Sequence, residues 1–437
     1  MGTQLVLSSA KRLFFNLCNA LNPKPNSQTI RIFSPYRNIS LFSLVFILTL
    51  CALITLALDY RFIQSLSISE RARERWLYLL IAINLLPTML TTPMYLFSID
   101  NMASLEEANR WGTFLYLVLG IARQPFSIAY MISRNGWLRA VGAAISLCAA
   151  TIFIYGMAVT RTDYIINRIT IPSERLPESF DGYRIVQFSD LHIATLVNPE
   201  KEIAEIVEQC NSLKPDMVAF CGDLVDIRYG EITPRIADRL KQLKATDGVF
   251  SIIGNHDTGV YVRDSIRLKP KENLRRIIAS QEELGWRVLD NKTHYISRGC
   301  DSISVTGISF DQSLHEERHS SSPEGISLDS IYHSLPAEKF NITLSHIPQL
   351  WENIRELHPT DLTLSGHVHA MQIAVKVGQW RLSPSMLLYK RWSGLYQEQG
   401  QYLYINDGIG YGLFPMRIGA RPEITLFELK CDKKPLK

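Results

Sequence analysis

Residues 183–192 read YRIVQFSDLH, an apolar run from Tyr183 to Phe188 that breaks into Ser-Asp-Leu-His, leaving Asp190 and His192 just past its end. The run is short and rich in β-branched and aromatic residues, so it reads as a buried strand. The same grammar recurs downstream. Met217–Cys221 runs into Gly-Asp-Leu-Val-Asp (Asp223, Asp226), and Gly248–Ile253 runs into Gly-Asn-His-Asp (Asn255, His256, Asp257). Helical signals fill the gaps. Asn198-Pro199 opens a helix with Ile203, Ile206, Val207, Cys210 and Leu213 on one face before Pro215, and Thr233-Pro234 opens another with Ile236, Leu240 and Leu243 inward. A third spans Leu274–Leu284 and stops at Gly285. This βαβαβα order predicts an α/β domain whose chemistry sits at the strand ends. From Val288 onward strands dominate, among them Ile303–Thr306, Ile342–Ser345, Leu362–Ser365 and Tyr402–Ile405, with one irregular stretch, His315–Gly325.

Upstream of this domain the texture is different. The chain has 437 residues, too many for one ordinary domain, and 46% are hydrophobic. Three long uncharged stretches, Asn38–Leu58, Trp76–Ile99 and Ala140–Thr160, reach the roughly 20 residues a membrane helix needs. A fourth, Trp111–Ile132, carries Arg123, Gln124 and Pro125 near its middle and reads as a weaker span. Arg123 is expected near a kinked end, snorkelling to the interface; the alternative is an intramembrane site for a lipid phosphate or a partner helix. Lys11, Arg12, Lys24, Arg31 and Arg37 precede the first span with no acidic residue, which places that end in the cytoplasm and does not resemble a cleavable signal peptide. The loop from Asp59 to Arg75 mixes four arginines with three acids and blurs the rule. Four spans return the later half to the cytoplasm, and three leave it outside. The expected organisation is a membrane region over 1–160 with three or four transmembrane helices, then a soluble-type domain over 161–437, in a multi-pass protein of the cell membrane whose partner is the lipid bilayer.

A balance of 46 Lys+Arg against 42 Asp+Glu leaves +4, far from the excess that drives binding to nucleic-acid phosphates. No nucleic-acid partner is favoured. The seven cysteines form no close pairs and read as mostly buried thiols.

Beyond the loops already quoted, Ser-His-Ile-Pro supplies His346 and Gly-His-Val-His supplies His367 and His369. Carboxylate, imidazole and amide donors together suit Mn, Fe or Zn better than Ca. The remaining histidines, His294, His315, His319, His333 and His358, match no pattern and are expected in surface or loop roles. With its D-x-H, G-D-x-x-D, G-N-H-D, lone H and G-H-x-H segments in order over about Arg184–Leu429, the chain resembles the calcineurin-like metallophosphoesterase superfamily. The resemblance implies a four-layer α/β/β/α sandwich preceded here by an all-α transmembrane region, and a metal-dependent phosphoester hydrolase. It further implies two divalent ions: one held by Asp190, His192, Asp223 and His369, the other by Asp223, Asn255, His346 and His367, with Asp223 bridging. Two such ions supply a nucleophile from water and clamp the phosphoryl oxygens. By the same resemblance His256 is the catalytic histidine at the leaving oxygen, and Asp226 is the partner that holds its ring. Asp257 fills the acidic position of its motif, and capping the loop is as good a reading.

Membrane-associated relatives continue the last motif with two glycines, where this chain has Ala370 and Met371 before Gln372; the pocket wall is expected to be tighter and greasier there. Asp407-Gly-Ile-Gly410 and Pro415-Met-Arg417 resemble the closing segment, in which Arg417 either meets a phosphate oxygen or lies on the surface. The substrate class implied is a phosphomonoester, phosphodiester or pyrophosphate, with lipid-linked esters attractive because the helices tether the site. A non-catalytic metal-binding scaffold or sensor on the same fold is the alternative, and a transporter or receptor with this domain as its regulator is a further one.

Overall fold

A computed structural model of the chain describes residues 35–96, 102–259, 261, 269–310, 328–333, 335–358, 360–412 and 414–433. Lys11, Arg12, Lys24, Arg31, the Ile99 end of the second hydrophobic stretch, and the stretch His315–Gly325 lie outside them. The chain divides into two compact units, Met1–Ile152 with Pro384–Tyr389, and Phe153–Ser383 with Lys390–Lys437.

The first unit is helical: α1 (Pro35–Gln64), α2 (Glu70–Leu96), α3 (Met102–Leu115) continued by a π turn Tyr116–Ile121, α4 (Gln124–Ile132), and most of α5 (Gly136–Ala158). Among the described residues, Glu106–Ile132 and Gly136–Thr162 are long and apolar enough to cross a membrane. The stretch carrying Arg123, weakest by sequence, is therefore one of the two. Asn38–Leu58 and Trp76–Ile99 fall in α1 and α2, partly beyond the residues whose side chains are described. Arg123 does not snorkel as expected. Its guanidinium pairs with Asp59, a fully buried residue of α1 rather than of the following loop. The same carboxylate accepts from Asn84 Nδ2 at 2.7 Å and Gln124 Nε2 at 3.0 Å. A charge pair with further donors is the standard condition for a buried ionisable group.

In the second unit two six-stranded sheets face each other. The first has the order β1 (Ile165–Ser173), β14 (Glu423–Cys431), β2 (Arg184–Phe188), β3 (Met217–Phe220), β4 (Gly248–Ser251) and β5 (Arg287–Val288). The second runs β12 (Gly394–Glu398), β13 (Gln401–Ile405), β9 (Leu362–Ser365), β8 (Asn341–Ser345), β7 (Asp301–Ile308) and β6 (Lys292–Arg298). Alternation along each strand explains why these runs are apolar throughout. Ile185, Met217 and Phe250 meet Ile303, Ile342 and Leu364 between the sheets, whereas Val186, Val218 and Val249 turn outward onto helices. Those helices are α6 (Pro199–Ser212), α7 (Pro234–Leu240) and α8 (Pro270–Glu283), packing through Ile203, Ile206, Ile236 and Ile277. Asn198 and Thr233 cap the first two by accepting from Lys201 N and Ile236 N. On the opposite side α9 (Leu328–Tyr332) and α10 (Trp351–Leu357) cover Ile308 and Phe310. The result is the four-layer α/β/β/α arrangement.

The sequence reading does not anticipate β1 or β14. The nine-residue β14 pairs in parallel with β1 and antiparallel with β2, inserting the end of the chain beside the strand that leads to Asp190. The cysteines are less buried than expected among the described residues. Cys210 and Cys221 are buried, whereas Cys148 and Cys300 are exposed, the latter in the turn that joins β6 to β7.

Candidate metal centre

Every loop that carries a candidate ligand leaves the carboxyl end of a central strand: Asp190 and His192 after β2, Asp223 after β3, Asn255 after β4, His346 after β8, His367 and His369 after β9. Both sheets therefore contribute, and facing each other they converge their loops on one place. The seven side chains form a continuous chain of contacts. His369 Nε2 is 3.2 Å from Asp190 Oδ1 and 3.2 Å from His192 Nε2, which lies 3.7 Å from Asp223 Oδ2. Asp223 Oδ2 is 3.1 Å from His346 Nε2, and Asn255 Oδ1 sits 3.0 Å from that nitrogen and 2.8 Å from His367 Nδ1. Backbone geometry records the strain of this convergence. Asp190, His192, Asp223, His367 and His369 all have positive φ, between 43° and 73°. Motif glycines are required by contact: a Cβ at Gly254 would lie 2.2 Å from Asp223 Oδ1, and one at Gly366 would lie 2.3 Å from Asp190 Oδ2.

Burial alone would raise the two carboxylates, but His369 holds Asp190 and His346 holds Asp223 below the ordinary range. Burial likewise opposes a charge on His346, yet Asp223 pushes its pKa up to about 9. Burial and neighbouring His256 bring His192 down to about 3. The ligand-type atoms are two anionic carboxylates, imidazole nitrogens and an amide oxygen turned toward one another. Two three-residue groups, Asp190/His192/His369 and Asp223/His346/His367, each bring ligand atoms within 4.8 Å of one another. Such sets fit divalent ions with mixed N and O ligands.

His256 adjoins the ligands: its ring centroid lies 4.5 Å from that of His192, and with His192 and Asp223 it forms a third group with ligand atoms within 4.8 Å. Its backbone N–H donates to Asp223 Oδ1 at 2.8 Å, and its ring Nδ1 lies 2.6 Å from the carbonyl oxygen of Asp226. A carbonyl only accepts, so Nδ1 carries the proton and Nε2 is the free position. The Asp226 carboxylate is farther away, 3.8 Å from His256 Nδ1 and 3.6 Å from His192 Nδ1. Asp226 therefore meets the His256 ring at two points, its carbonyl oxygen and, farther off, its carboxylate. Asp257 accepts four backbone N–H groups, from Asp223, Leu224, Val225 and Gly254, at 2.9–3.2 Å. It ties the Asp223 loop to the Asn255 loop, and burial with nearby Asp223 raises its pKa to about 7.

Arg417 is neither on the surface nor open to a phosphate. It is fully buried, donates to the carbonyls of Asp407, Gly410 and Ala420, and brings Nη2 to 3.2 Å from His369 Nδ1. Gln372 donates to Phe414 O and Met416 O at 2.7 Å each, fastening the closing segment beside His369. Ala370 is buried against Ala374 and Ala420, so the wall is apolar there. Two participants have no signature in the sequence. Tyr261 stacks on His256 with centroids 4.3 Å apart and accepts from Asn255 Nδ2. The half-buried Glu231 side chain accepts from Ala194, Asp226, Ile227 and Arg228 N–H groups and shapes the Asp226 turn. His294 and His358 lie elsewhere: one contacts Arg287, and the other is buried against Tyr332.

Residues 183–371 match the calcineurin-like phosphoesterase family. This part of the chain is a calcineurin-like phosphoesterase domain. The metallophosphoesterase YkuE of Bacillus subtilis, uncharacterized, is 29% identical over 308 residues, 68% of this chain and 98% of its own length. A transmembrane protein with metallophosphoesterase domain from Danio rerio is 30% identical over 290 residues, 65% of this chain and 61% of that protein. The UDP-2,3-diacylglucosamine pyrophosphatase LpxG of Chlamydia trachomatis is 25% identical over 320 residues, 61% of this chain and 90% of that protein. The chain thus spans about three-fifths of the Danio rerio relative and nearly all of YkuE. Its phosphoesterase domain is that of a metal-dependent phosphoester hydrolase.

Proposed function

We propose that the chain is a multi-pass membrane hydrolase of a phosphomonoester, phosphodiester or pyrophosphate bond, acting on a lipid-linked substrate. The observation that carries this reading is the convergence of carboxylates, imidazole nitrogens and an amide oxygen around Asp223, with neighbouring ligand atoms 2.8–3.7 Å apart. In this reading Asp190, His192, Asp223 and His369 hold one divalent ion, and Asp223, Asn255, His346 and His367 hold the other. Mn, Fe or Zn suits the donors. When bound, the ions activate water near neutral pH and neutralise charge on the phosphoryl oxygens.

The protein's own part is positioning and proton transfer. Nδ1–H of His256 is fixed on the Asp226 carbonyl; in the imidazolium form the second ring proton, Nε2–H, goes to the leaving oxygen, and the neutral ring that remains keeps Nδ1–H. Tyr261, stacked on that ring, limits its rotation. Asp257 ties the Asp223 loop to the Asn255 loop, and Glu231 shapes the turn at Asp226. Four spans between the basic N-terminal stretch and the domain would place catalysis on the cytoplasmic side, which a reporter fused after Lys437 reads directly.

The test uses the full chain in detergent, loaded with Mn, Fe or Zn, on p-nitrophenyl phosphate, bis-p-nitrophenyl phosphate and a lipid pyrophosphate. Turnover that requires metal and collapses in His256→Ala and Asp223→Asn is expected. Turnover unaffected by either substitution overturns the mechanism.

A further inference from the structure

A small hairpin follows the last two candidate ligands: β10 (Val375–Val377) and β11 (Trp380–Leu382), joined by Gly378-Gln379. In its register Val375 faces Leu382, Lys376 faces Arg381 and Val377 faces Trp380. Side chains alternate along a strand, so the four apolar residues share one face and the two cations the other. The polar face is the anchored one. Arg381 pairs with Asp407, donates to the Ser393 hydroxyl and lies 5.4 Å from the Trp392 ring. The apolar face points away and is open: Val375, Val377, Trp380 and Leu382 are 48%, 56%, 65% and 45% exposed. An isolated two-stranded hairpin with such a face is poorly stable in water, and a grouped apolar patch marks an interaction surface.

What covers it is indicated by the chain itself. Beyond Leu382, Leu387 is 47% exposed as well. The same chain carries, among the described residues, two helices long enough to cross a membrane, so a bilayer is the apolar phase at hand. Tryptophan at a tip with lysine behind it is the composition of an interfacial anchor, not of a protein core. The base of the hairpin is fixed to the site: Ser383 Oγ donates to Ala370 O at 2.7 Å, and Ala374 N–H to Ile418 O at 2.8 Å. Ala370 directly follows His369.

We propose that the apolar face of this hairpin is seated in the headgroup boundary of a lipid bilayer. The metal centre then opens at the bilayer surface and accepts phosphoesters of amphiphiles that remain in the membrane. The second statement rests on the hydrolase reading; the first does not.

The test places the full chain in nanodiscs whose lipids carry brominated acyl chains. Trp380→Phe is compared with the unchanged protein, and Val377→Asp/Trp380→Asp is assayed on bis-p-nitrophenyl phosphate and on a lipid phosphoester in the same discs. A quenched emission component that Trp380→Phe removes is expected. The double substitution should leave the soluble ester within twofold and lower kcat/KM for the lipid ester about tenfold, the equivalent of about 1.4 kcal/mol of lost interfacial binding. Equal quenching in both proteins overturns the proposal, including the case in which discs hold two copies and a second chain covers the face. Lipid-ester activity untouched by the double substitution overturns the substrate statement. Quenching by Trp380 in a protein inactive on both esters sustains the membrane contact and sinks the hydrolase reading instead.

Discussion

Around Asp59, in the helical unit, one carboxylate meets one guanidinium and two carboxamide donors, so the charge of the carboxylate is met within the protein. Around Asp223 carboxylates, imidazole nitrogens and an amide oxygen converge on one another instead, and Asp223 pushes the pKa of His346 up to about 9 against the effect of burial. Both clusters are buried and both join residues far apart in the chain. The difference lies in sign. A polar cluster whose donors match its acceptors is a fastening, whereas one with acceptors in excess invites cations. Five left-handed residues at the second cluster point the same way, since backbone strain of about 1–3 kcal/mol each persists only where the surroundings enforce it.

The contrast breaks first at the metal centre. Asp223→Asn removes the carboxylate proposed to bridge the two ions, so bound metal and activity should fall together. His256→Ala should keep the metal and still lose activity by about 10²–10⁴-fold, the usual worth of a positioned proton donor. Metal analysis of the purified variants separates the two. Metal lost from His256→Ala would make His256 a ligand, which the grouping His192/Asp223/His256 within 4.8 Å allows geometrically.

At Asp59 the opposite pattern is expected. Asp59→Ala leaves Arg123 without its counterion, at a cost of about 3–5 kcal/mol. Asp59→Leu/Arg123→Met removes both charges and should recover most of that loss, read as the thermal midpoint in detergent. Metal content should stay unchanged in either variant. A double variant as unstable as the single one would show that the pair is more than a fastening.

A third buried carboxylate sharpens the scale. Asp361 accepts from Asn341 N–H at 2.9 Å and faces Arg175 at 3.4 Å, yet burial raises its pKa from 3.8 to about 6. A raised carboxylate favours folding while protonated, so its contribution is full below about pH 4 and is lost as pH rises through about 6. The ceiling is about 3 kcal/mol at about 1.4 kcal/mol per unit. The stability difference between the unchanged protein and Asp361→Asn should therefore shift against the unchanged protein between pH 4 and 6. A flat difference across that range would show that Arg175 already compensates the charge.

Much of this was legible in the sequence because ligands sit where strands end. Apolar runs with β-branched residues located β2, β3, β4, β8 and β9 to within a residue or two, and the polar residue after each run supplied the site. What stayed hidden lacks a period or a pattern. Tyr261 and Glu231 are single ordinary residues in loops, and their roles come from what the fold stacks or wraps against them. Arg123 and Asp59 lie 64 residues apart, so no spacing rule joins them. Arg417 read as either a phosphate contact or a surface residue because sequence does not show that three backbone carbonyls surround it. β14 was missed for a related reason: its place between β1 and β2 is set by pairing across the chain, not by local propensity.

The smallest expected effect lies at Ala370 and separates strain that serves the site from strain that is merely tolerated. His369, Ala370, Met371 and Gln372 have φ of 52°, 49°, 46° and 61°, four left-handed residues in a row and none of them glycine. Left-handed backbone costs a residue with a Cβ roughly 1–2 kcal/mol. Ala370→Gly removes that cost and sacrifices one buried methyl worth about 0.8 kcal/mol. The net should be a gain of about 0.5 kcal/mol, small because the two terms oppose. If the strained turn also holds His369 in place, the stabilised variant should bind metal less tightly, since glycine frees the backbone on which the imidazole is mounted. A variant that gains stability with metal affinity unchanged would mean that Gln372 and Arg417 fix His369 without help from the turn. A clear loss of stability would mean that the packing of Ala370 against Ala374 and Ala420 outweighs the backbone term, and that the apolar wall is what this chain retains in place of glycine.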